Sequence, residues 1–293
     1  MNVSRKRILR VTLLLLVIAA ITGWIAWGNK ALVISNYTVS NPELPASFSG
    51  FRIAQISDLH NDEFGRDNEK LIGLLENTKP DIIAITGDLI DYYDTHEDIS
   101  LSFIEKIVNI APCYYVPGNH EARINSYKKF KEKLEKFGVH VLENKMLQLE
   151  RNGETVMLVG VKDPAFLTKI FFPDKIGKSS QEDDIIMDLF LRELCKEDVG
   201  YRILLSHRPD QIGIYAKYDL ELVLSGHKHG AQFRLPFIGG LFTPSDGFFP
   251  KYDAGCYEEN NTTMIVSRGL GNSIFPFRIN NPPEIVVVQL ESE

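Results

Sequence analysis

Four apolar runs in this chain each end in a cluster of polar, metal-competent side chains, and that repetition constrains the fold of its 293 residues more than any other feature. They are Ile53 to His60 (IAQISDLH), Ile82 to Asp91 (IIAITGDLID), Tyr114 to Glu121 (YYVPGNHE) and Leu220 to Gly230, which closes on Gly226-His227-Lys228-His229-Gly230. Short apolar runs bounded by Gly, Asp and Asn read as buried strands. Residues 61 to 86 separate the first cluster from the second, and residues 92 to 117 the second from the third, twenty-six residues each time. That is about the length of one helical crossover, which returns the next strand beside the last and parallel to it. The clusters therefore gather at one edge of a sheet, at the carboxyl ends of its strands.

The remaining chain fits this frame. Strands are predicted at Phe51 to Ser57, Asp81 to Thr86, Cys113 to Val116 and Val139 to Leu142, with helices at Asn68 to Thr78, Ile99 to Ile110 and Ser126 to Phe137. Met146 to Glu150 and Thr155 to Val161 flank Arg151-Asn152-Gly153-Glu154 as a hairpin. Asp163 to Glu182 reads as a loop or lid, and Asp183 to Cys195 as an amphipathic helix. Further strands are predicted at Arg202 to Ser206, Glu221 to Ser225, Met264 to Ser267 and Ile285 to Leu290. The sum is two sheets with helices outside, joined in one domain.

Val11 to Trp27 carries no charge over 17 residues, about 25 Å as a helix and enough for a bilayer core. Arg5, Lys6, Arg7 and Arg10 precede it, so by the positive-inside rule this end stays in the cytoplasm and the rest of the chain lies extracytoplasmically. Ser4 to Arg10 also resembles a twin-arginine export signal with lysine replacing one arginine. Residues 1–30 are thus read as a membrane anchor or uncleaved signal, 31–50 as a linker with an edge strand at Val33 to Val39, and 51–293 as the catalytic domain. The net charge of −7 and the lack of a basic patch argue against a nucleic-acid partner. Cys113, Cys195 and Cys256 fall in no ligand-like spacing and read as isolated thiols.

Asp58, His60, Asp88, Asn119, His120, His207, His227 and His229 stand at the predicted strand ends and include five of the seven histidines; His96 and His140 lie outside the set. Taken singly, each has an ordinary reading. Asp88 with Asp91 suits a turn or helix cap, His207 a satisfied core histidine, and Asn119 after Pro117-Gly118 a turn. Together, seven of the eight can bind metal directly, too many for one ion with an open position and suited to two ions sharing a bridge. Carboxylate, amide and imidazole donors without thiolate suit manganese, iron or zinc and argue against a structural zinc site.

Asp58-x-His60, Gly87-Asp88-x-x-Asp91, Gly118-Asn119-His120-Glu121, the later His207 and Gly226-His227-x-His229, in that order, resemble the calcineurin-like metallophosphoesterase superfamily. The membrane-associated bacterial branch is similar also through Gln232-x-x-Leu235-Pro236, Lys251-Tyr252-x-x-Gly255-x-Tyr257 and Ser267-Arg268-Gly269-Leu270-Gly271. One departure is Lys228 with Ala231, where that branch more usually has threonine and a second glycine. The resemblance implies an α/β, four-layer αββα sandwich of two mixed sheets flanked by helices. It also implies two divalent transition-metal ions, manganese before iron or zinc. Asp58, His60 and His229 would bind the first ion, Asn119, His207 and His227 the second, and Asp88 would bridge. A hydroxide held between the ions would attack phosphorus, and His120 would face the substrate and either stabilise the pentavalent transition state or protonate the leaving oxygen. Asp91 is read as structural, orienting the Asp88 loop.

Substrate choice belongs to the surrounding loops. Asp163-Pro-Ala-Phe166, Ile170-Phe-Phe-Pro173, Gly239-Gly240-Leu-Phe and Phe248-Phe249-Pro250 are apolar for loops and suggest a lid or a surface meeting lipid, hence a membrane-proximal or lipid-linked phosphate ester. Arg123 and Arg268 are candidate phosphate contacts. The expected activity is hydrolysis of a phosphodiester or pyrophosphate. One version, a UDP-2,3-diacylglucosamine-type pyrophosphatase, needs a cytoplasmic site and conflicts with the inferred orientation. A non-catalytic scaffold would have lost ligands, and a metallo-amidase is disfavoured by the long crossovers and the absence of HExxH.

Overall fold

The computed structural model describes residues 3–172, 181–197, 200–272 and 275–293. Helix α1 (Val3–Gly28) is followed by strand β1 (Val33–Asn41), β2 (Arg52–Ile56), α2 (Glu69–Asn77), β3 (Ile82–Ile85), α3 (Glu97–Ile107), β4 (Cys113–Tyr115), α4 (Tyr127–Lys136) and β5 (His140–Val141). The second half carries β6 (Lys145–Arg151), β7 (Glu154–Gly160), α5 (Ala165–Phe171), α6 (Gln181–Leu194), β8 (Arg202–Leu205), α7 (Ile212–Tyr215) and β9 (Leu222–Ser225). Four two-residue strands follow: β10 (Arg234–Leu235), β11 (Gly239–Gly240), β12 (Phe242–Thr243) and β13 (Gly247–Phe248). The chain closes with β14 (Gly255–Glu259), β15 (Thr262–Val266) and β16 (Glu284–Ser292).

Two six-stranded sheets form, in the orders β1-β16-β2-β3-β4-β5 and β14-β15-β9-β8-β7-β6. Both are mixed: β2 to β5 run parallel, β16 joins β2 antiparallel, and β6–β7 and β14–β15 are antiparallel beside the parallel β7, β8, β9 and β15. Alternation along each strand divides the core. In β2, Ile53 points between the sheets, into a cluster with Leu158, Ile203, Leu224 and Ile265, while Ala54 and Ile56 face outward onto Leu71, Phe103, Ile104 and Phe130 of α2, α3 and α4. On the far side, Met187 and Leu191 of α6 and Tyr215 of α7 cover Leu204 and Val223. The result is the four-layer αββα sandwich, with the central strands β3, β4, β8 and β9 buried on both faces and therefore apolar nearly throughout. Buried Gln55 couples the sheets, donating to Thr86 Oγ1 at 3.0 Å and to the Ser225 carbonyl at 2.8 Å.

Three departures from the sequence expectations matter. The stretch read as a loop from Asp163 to Glu182 contains helix α5, and its residues 173–180, Pro173 among them, lie outside the described residues. Strand β14 was not foreseen, because Gly-Cys-Tyr-Glu-Glu lies at a sheet edge with every residue at least partly exposed and carries no apolar alternation. The edge strand expected at Val33 to Val39 forms and runs two residues further, to Asn41, as a nine-residue parallel ladder with β16, so the stretch is part of the sheet and not a linker. Only residues 29–32 remain between the apolar helix and the sheet. Helix α1 is exposed along most of its apolar stretch, Leu13 to Leu16 at about 60%.

Candidate metal centre

The four clusters sit where the strands of both sheets end. After β2 the chain turns through Asp58 and His60, after β3 through Asp88 and Asp91, after β4 through Asn119 and His120, after β8 through His207, and after β9 through His227 and His229. Five of these residues hold left-handed backbone: Asp58 (φ 53°), His60 (47°), Asp88 (52°), His227 (72°) and His229 (50°). Asp and His tolerate that region better than most residues, at a cost of order 1–3 kcal/mol each, and concentration of such residues at one place marks a built site.

Beside a group of His60, Asp91 and His120, two donor sets meet at the centre. Asp58, His60 and His229 form one, with His229 Nε2 3.2 Å from Asp58 Oδ1 and 3.1 Å from His60 Nε2. Asp88, His207 and His227 form the other, with His207 Nε2 3.1 Å from Asp88 Oδ2. The same Asp88 oxygen lies 3.7 Å from His60 Nε2, so Asp88 stands between the sets. Asn119 Oδ1 is buried without a hydrogen-bond partner. These donors fit divalent cations. Imidazole nitrogens facing each other at 3.1 Å match the spacing of two ligands each about 2.0–2.1 Å from a shared ion.

The outer atoms of the rings are committed elsewhere, which fixes their direction. His207 Nδ1 bonds the Thr86 carbonyl at 2.7 Å and His229 Nδ1 the Gly271 carbonyl at 3.2 Å. Asp91 reaches two rings at once, Oδ2 3.5 Å from His60 Nδ1 and Oδ1 3.6 Å from His120 Nδ1. The job of shaping the Asp88 loop falls instead to Glu121, fully buried, whose carboxylate accepts the N–H groups of Asp88, Leu89, Ile90 and Gly118 at 2.8–3.3 Å. Behind the second set, Arg208 pairs with Asp163 at 2.6 Å, both buried. Behind the first, fully buried Arg278 donates to the carbonyls of Gly271 and Arg268. Glu121 stood inside a motif, whereas Arg208 and Arg278 had no local signal.

Protons meet the charge demand of this cluster. Burial works against a charged His60, yet Asp58, Asp91 and Asp88 outweigh it and push the ring up to about 10. His207 is likewise raised to about 10, Asp88 overcoming burial. His227 goes the other way, burial first and Arg208 next holding it well below its usual value. Burial also lowers His229. A site that draws protons onto two rings beside three carboxylates attracts cations.

The centre opens into a cavity lined by Asp88, Asn119, His120, Arg123, His227 and Lys228, with Tyr93, Phe242 and Phe275 as its apolar wall. Arg123 stacks over Tyr92, 4.7 Å from its centroid. Arg268 does not line this cavity: its guanidinium is held by Glu284 at 2.6 Å and Ser35 at 3.2 Å, where it ties the Gly269 loop to β16 and β1, so it is no phosphate contact here. Lys228 is buried and reaches Asp246 at 2.9 Å and Ser245 at 3.0 Å, pinning the 243–246 turn at the cavity mouth.

A two-sheet αββα fold with a carboxylate–histidine centre at the strand ends defines a class of metal-dependent hydrolases. Residues 51–231 match the family model of the calcineurin-like phosphoesterases, and the chain belongs to that family. Its members bind two divalent cations. The chain is 32% identical over 266 residues to the uncharacterized metallophosphoesterase YkuE of Bacillus subtilis, covering 88% of this chain and 85% of that protein. It is 26% identical over 250 residues to the phosphodiesterase YaeI of Escherichia coli, covering 82% of each. Among solved structures, TT1561 of Thermus thermophilus shares the fold, with a TM-score of 0.51 at 16% identity over 76% of this chain and 91% of that one.

Proposed function

We propose that this protein hydrolyses a phosphodiester or pyrophosphate bond, with Asp58, His60 and His229 holding one divalent cation, Asn119, His207 and His227 a second, and Asp88 shared. One observation carries the reading: two sets of donor atoms meet at Asp88, and the buried Asn119 Oδ1 beside them has no other partner. When bound, two such cations supply an activated water oxygen as nucleophile and neutralise the charge of the phosphoryl group. Mixed imidazole and oxygen donors without thiolate suit manganese, with iron or zinc as alternatives.

His120 is placed to move a proton. In the imidazolium form it carries a proton on each nitrogen, that on Nδ1 directed toward Asp91 Oδ1 at 3.6 Å and that on Nε2 toward the Asp88 side of the cavity, so the ring ends neutral after giving one up. As water oxygen bonds to phosphorus and the ester P–O bond breaks, that Nε2 proton passes to the leaving oxygen. Arg123, at the cavity margin, is assigned to non-bridging phosphate oxygens. The apolar wall of Tyr93, Phe242 and Phe275 supports a membrane-proximal or lipid-linked ester. Helix α1 and the basic residues in its first turns support a single-pass anchor with the domain on the extracytoplasmic side.

The test is release of nitrophenolate from bis-p-nitrophenyl phosphate by the full chain in detergent with Mn²⁺. Activity is expected to vanish on chelation, return with the metal, and fall at least about 100-fold in His120→Ala and Asp88→Ala. Turnover indifferent to chelator and to both substitutions would overturn the reading.

A further inference from the structure

The catalytic domain is docked on the end of helix α1 rather than tethered to it. Helix α1 ends at Gly28 and β1 begins at Val33. The residues between are held: the Ala31 N–H donates to the Trp27 carbonyl at 2.9 Å, and Lys30 donates to Asp62 and, at 3.1 Å, to the Glu63 carbonyl. Asn29 accepts from the Arg278 N–H at 2.8 Å and donates to the Arg278 carbonyl at 3.2 Å. The apolar stretch ends at Trp27, a residue type that favours the membrane–water interface, so the protein surface around Asn29 and Arg278 lies at that level.

From Asn29 a small shelf of backbone extends sideways. Ile279 exchanges hydrogen bonds with Gln232 and Arg234 at 3.0 Å, Leu241 donates to Phe233 at 2.8 Å, and Phe249 donates to Leu241 at 2.9 Å. Each step is one strand spacing, about 5 Å. The shelf carries side chains that a water-facing surface does not explain: Phe237 is 109% exposed, Phe248 71%, Ile238 64% and Phe249 60%. Leu235 and Phe277 add to them, and exposed Lys251 follows Phe249 closely in the chain. Shelf residues Gln232 and Phe242, with neighbouring Phe275, line the cavity.

We propose that Leu235, Phe237, Ile238, Phe248, Phe249 and Phe277 form a docking surface for the lipid bilayer that α1 enters, so that the cavity opens at the membrane surface. The occupant is lipid because the patch runs on from a helix whose own apolar residues are exposed along most of its length. The placement is independent of the reaction assigned to the cavity.

Nitroxide collision measurements on the full chain in phosphatidylcholine nanodiscs test it without any need for activity. Labels go on Phe237→Cys and Phe249→Cys in a Cys195→Ser, Cys256→Ser background. References are Leu14→Cys in α1 and Glu43→Cys, which lies beyond the nine residues of β1 and so about 30 Å from the anchor. The expected result is oxygen access exceeding that of a water-soluble nickel chelate at both shelf positions, as at Leu14. Ratios equal to that at Glu43 would overturn the proposal, and so would labels shielded from both reagents, which would indicate a protein partner or second copy instead.

Discussion

The backbone of Gly226 passes so close to Asp58 that a Cβ on it would lie 2.3 Å from Asp58 Oδ2 and 1.9 Å from Ser57 Oγ. Both contacts are far inside van der Waals range, and Asp58 is buried with its carboxylate already accepting the His227 N–H at 3.1 Å. Gly226→Ala is therefore expected to displace Asp58, lowering bound metal from two ions to about one per chain and activity by at least about 100-fold, although Gly226 has no donor side chain. Elemental analysis beside a circular dichroism spectrum checks this; full metal content with full activity would contradict it.

Asp91 holds His60 and His120 from behind without entering either donor set. Asp91→Asn keeps the shape but removes the charge that orients both rings. Its kcat/KM is expected to fall about 10- to 100-fold, with little change in melting temperature. Metal titration separates the two rings: weaker binding reports on His60, and slowed turnover at saturating metal reports on His120.

Arg208 and Asp163 are buried together at 2.6 Å, and Asp163 also accepts the Ala165 N–H at 2.8 Å at the start of α5. Removing the carboxylate takes away the hydrogen-bonded partner of a buried guanidinium that stands 3.5 Å from His227, leaving only the more distant charges of Asp210 and Asp183 to offset it. Asp163→Ala is expected to destabilise the domain by about 3–5 kcal/mol. Denaturant unfolding in detergent measures it, and a loss below about 1 kcal/mol would show that water replaces the partner.

Far from the centre, Glu221 is buried at the start of β9, and burial pushes its carboxyl up to about 7 from an ordinary 4.5 despite the Arg202 N–H at 2.6 Å. The folded state thus binds this proton more tightly than the unfolded chain. The contribution to stability is fully present below about pH 4.5 and is lost as pH rises through about 7, a swing of at most roughly 3 kcal/mol. Glu221→Gln retains an acceptor for Arg202 and is expected to raise the melting temperature at pH 8 while flattening its dependence between pH 5 and 7. Parallel pH profiles for the two proteins would refute this.

Several features of the chain were legible before any coordinates. Apolar runs at strand length, broken by Gly, Asp and Asn and spaced by helix-length intervals, specify a parallel sheet whose ends gather Asp58, Asp88, Asn119 and their histidines, because strand burial and crossover length are local properties of sequence. The edge strand β14 was not legible, since a half-exposed strand is defined by its partner β15 rather than by its own pattern. Neither was the reach of Asp91 to two imidazoles, nor the ion pair that draws Arg268 to Glu284 and away from the cavity.

What the sequence by itself determined was the main strands and helices, their order, and the residue types delivered to one end of them. Only the tertiary structure decided which donors face each other, as His60 and His229 do across 169 positions of chain. It likewise decided that Val33 pairs with Glu284, seating the end of helix α1 against the sheet. The physical reason is that propensity and periodicity act over one or two turns of backbone, whereas the contacts that aim a side chain are made between segments joined only by packing.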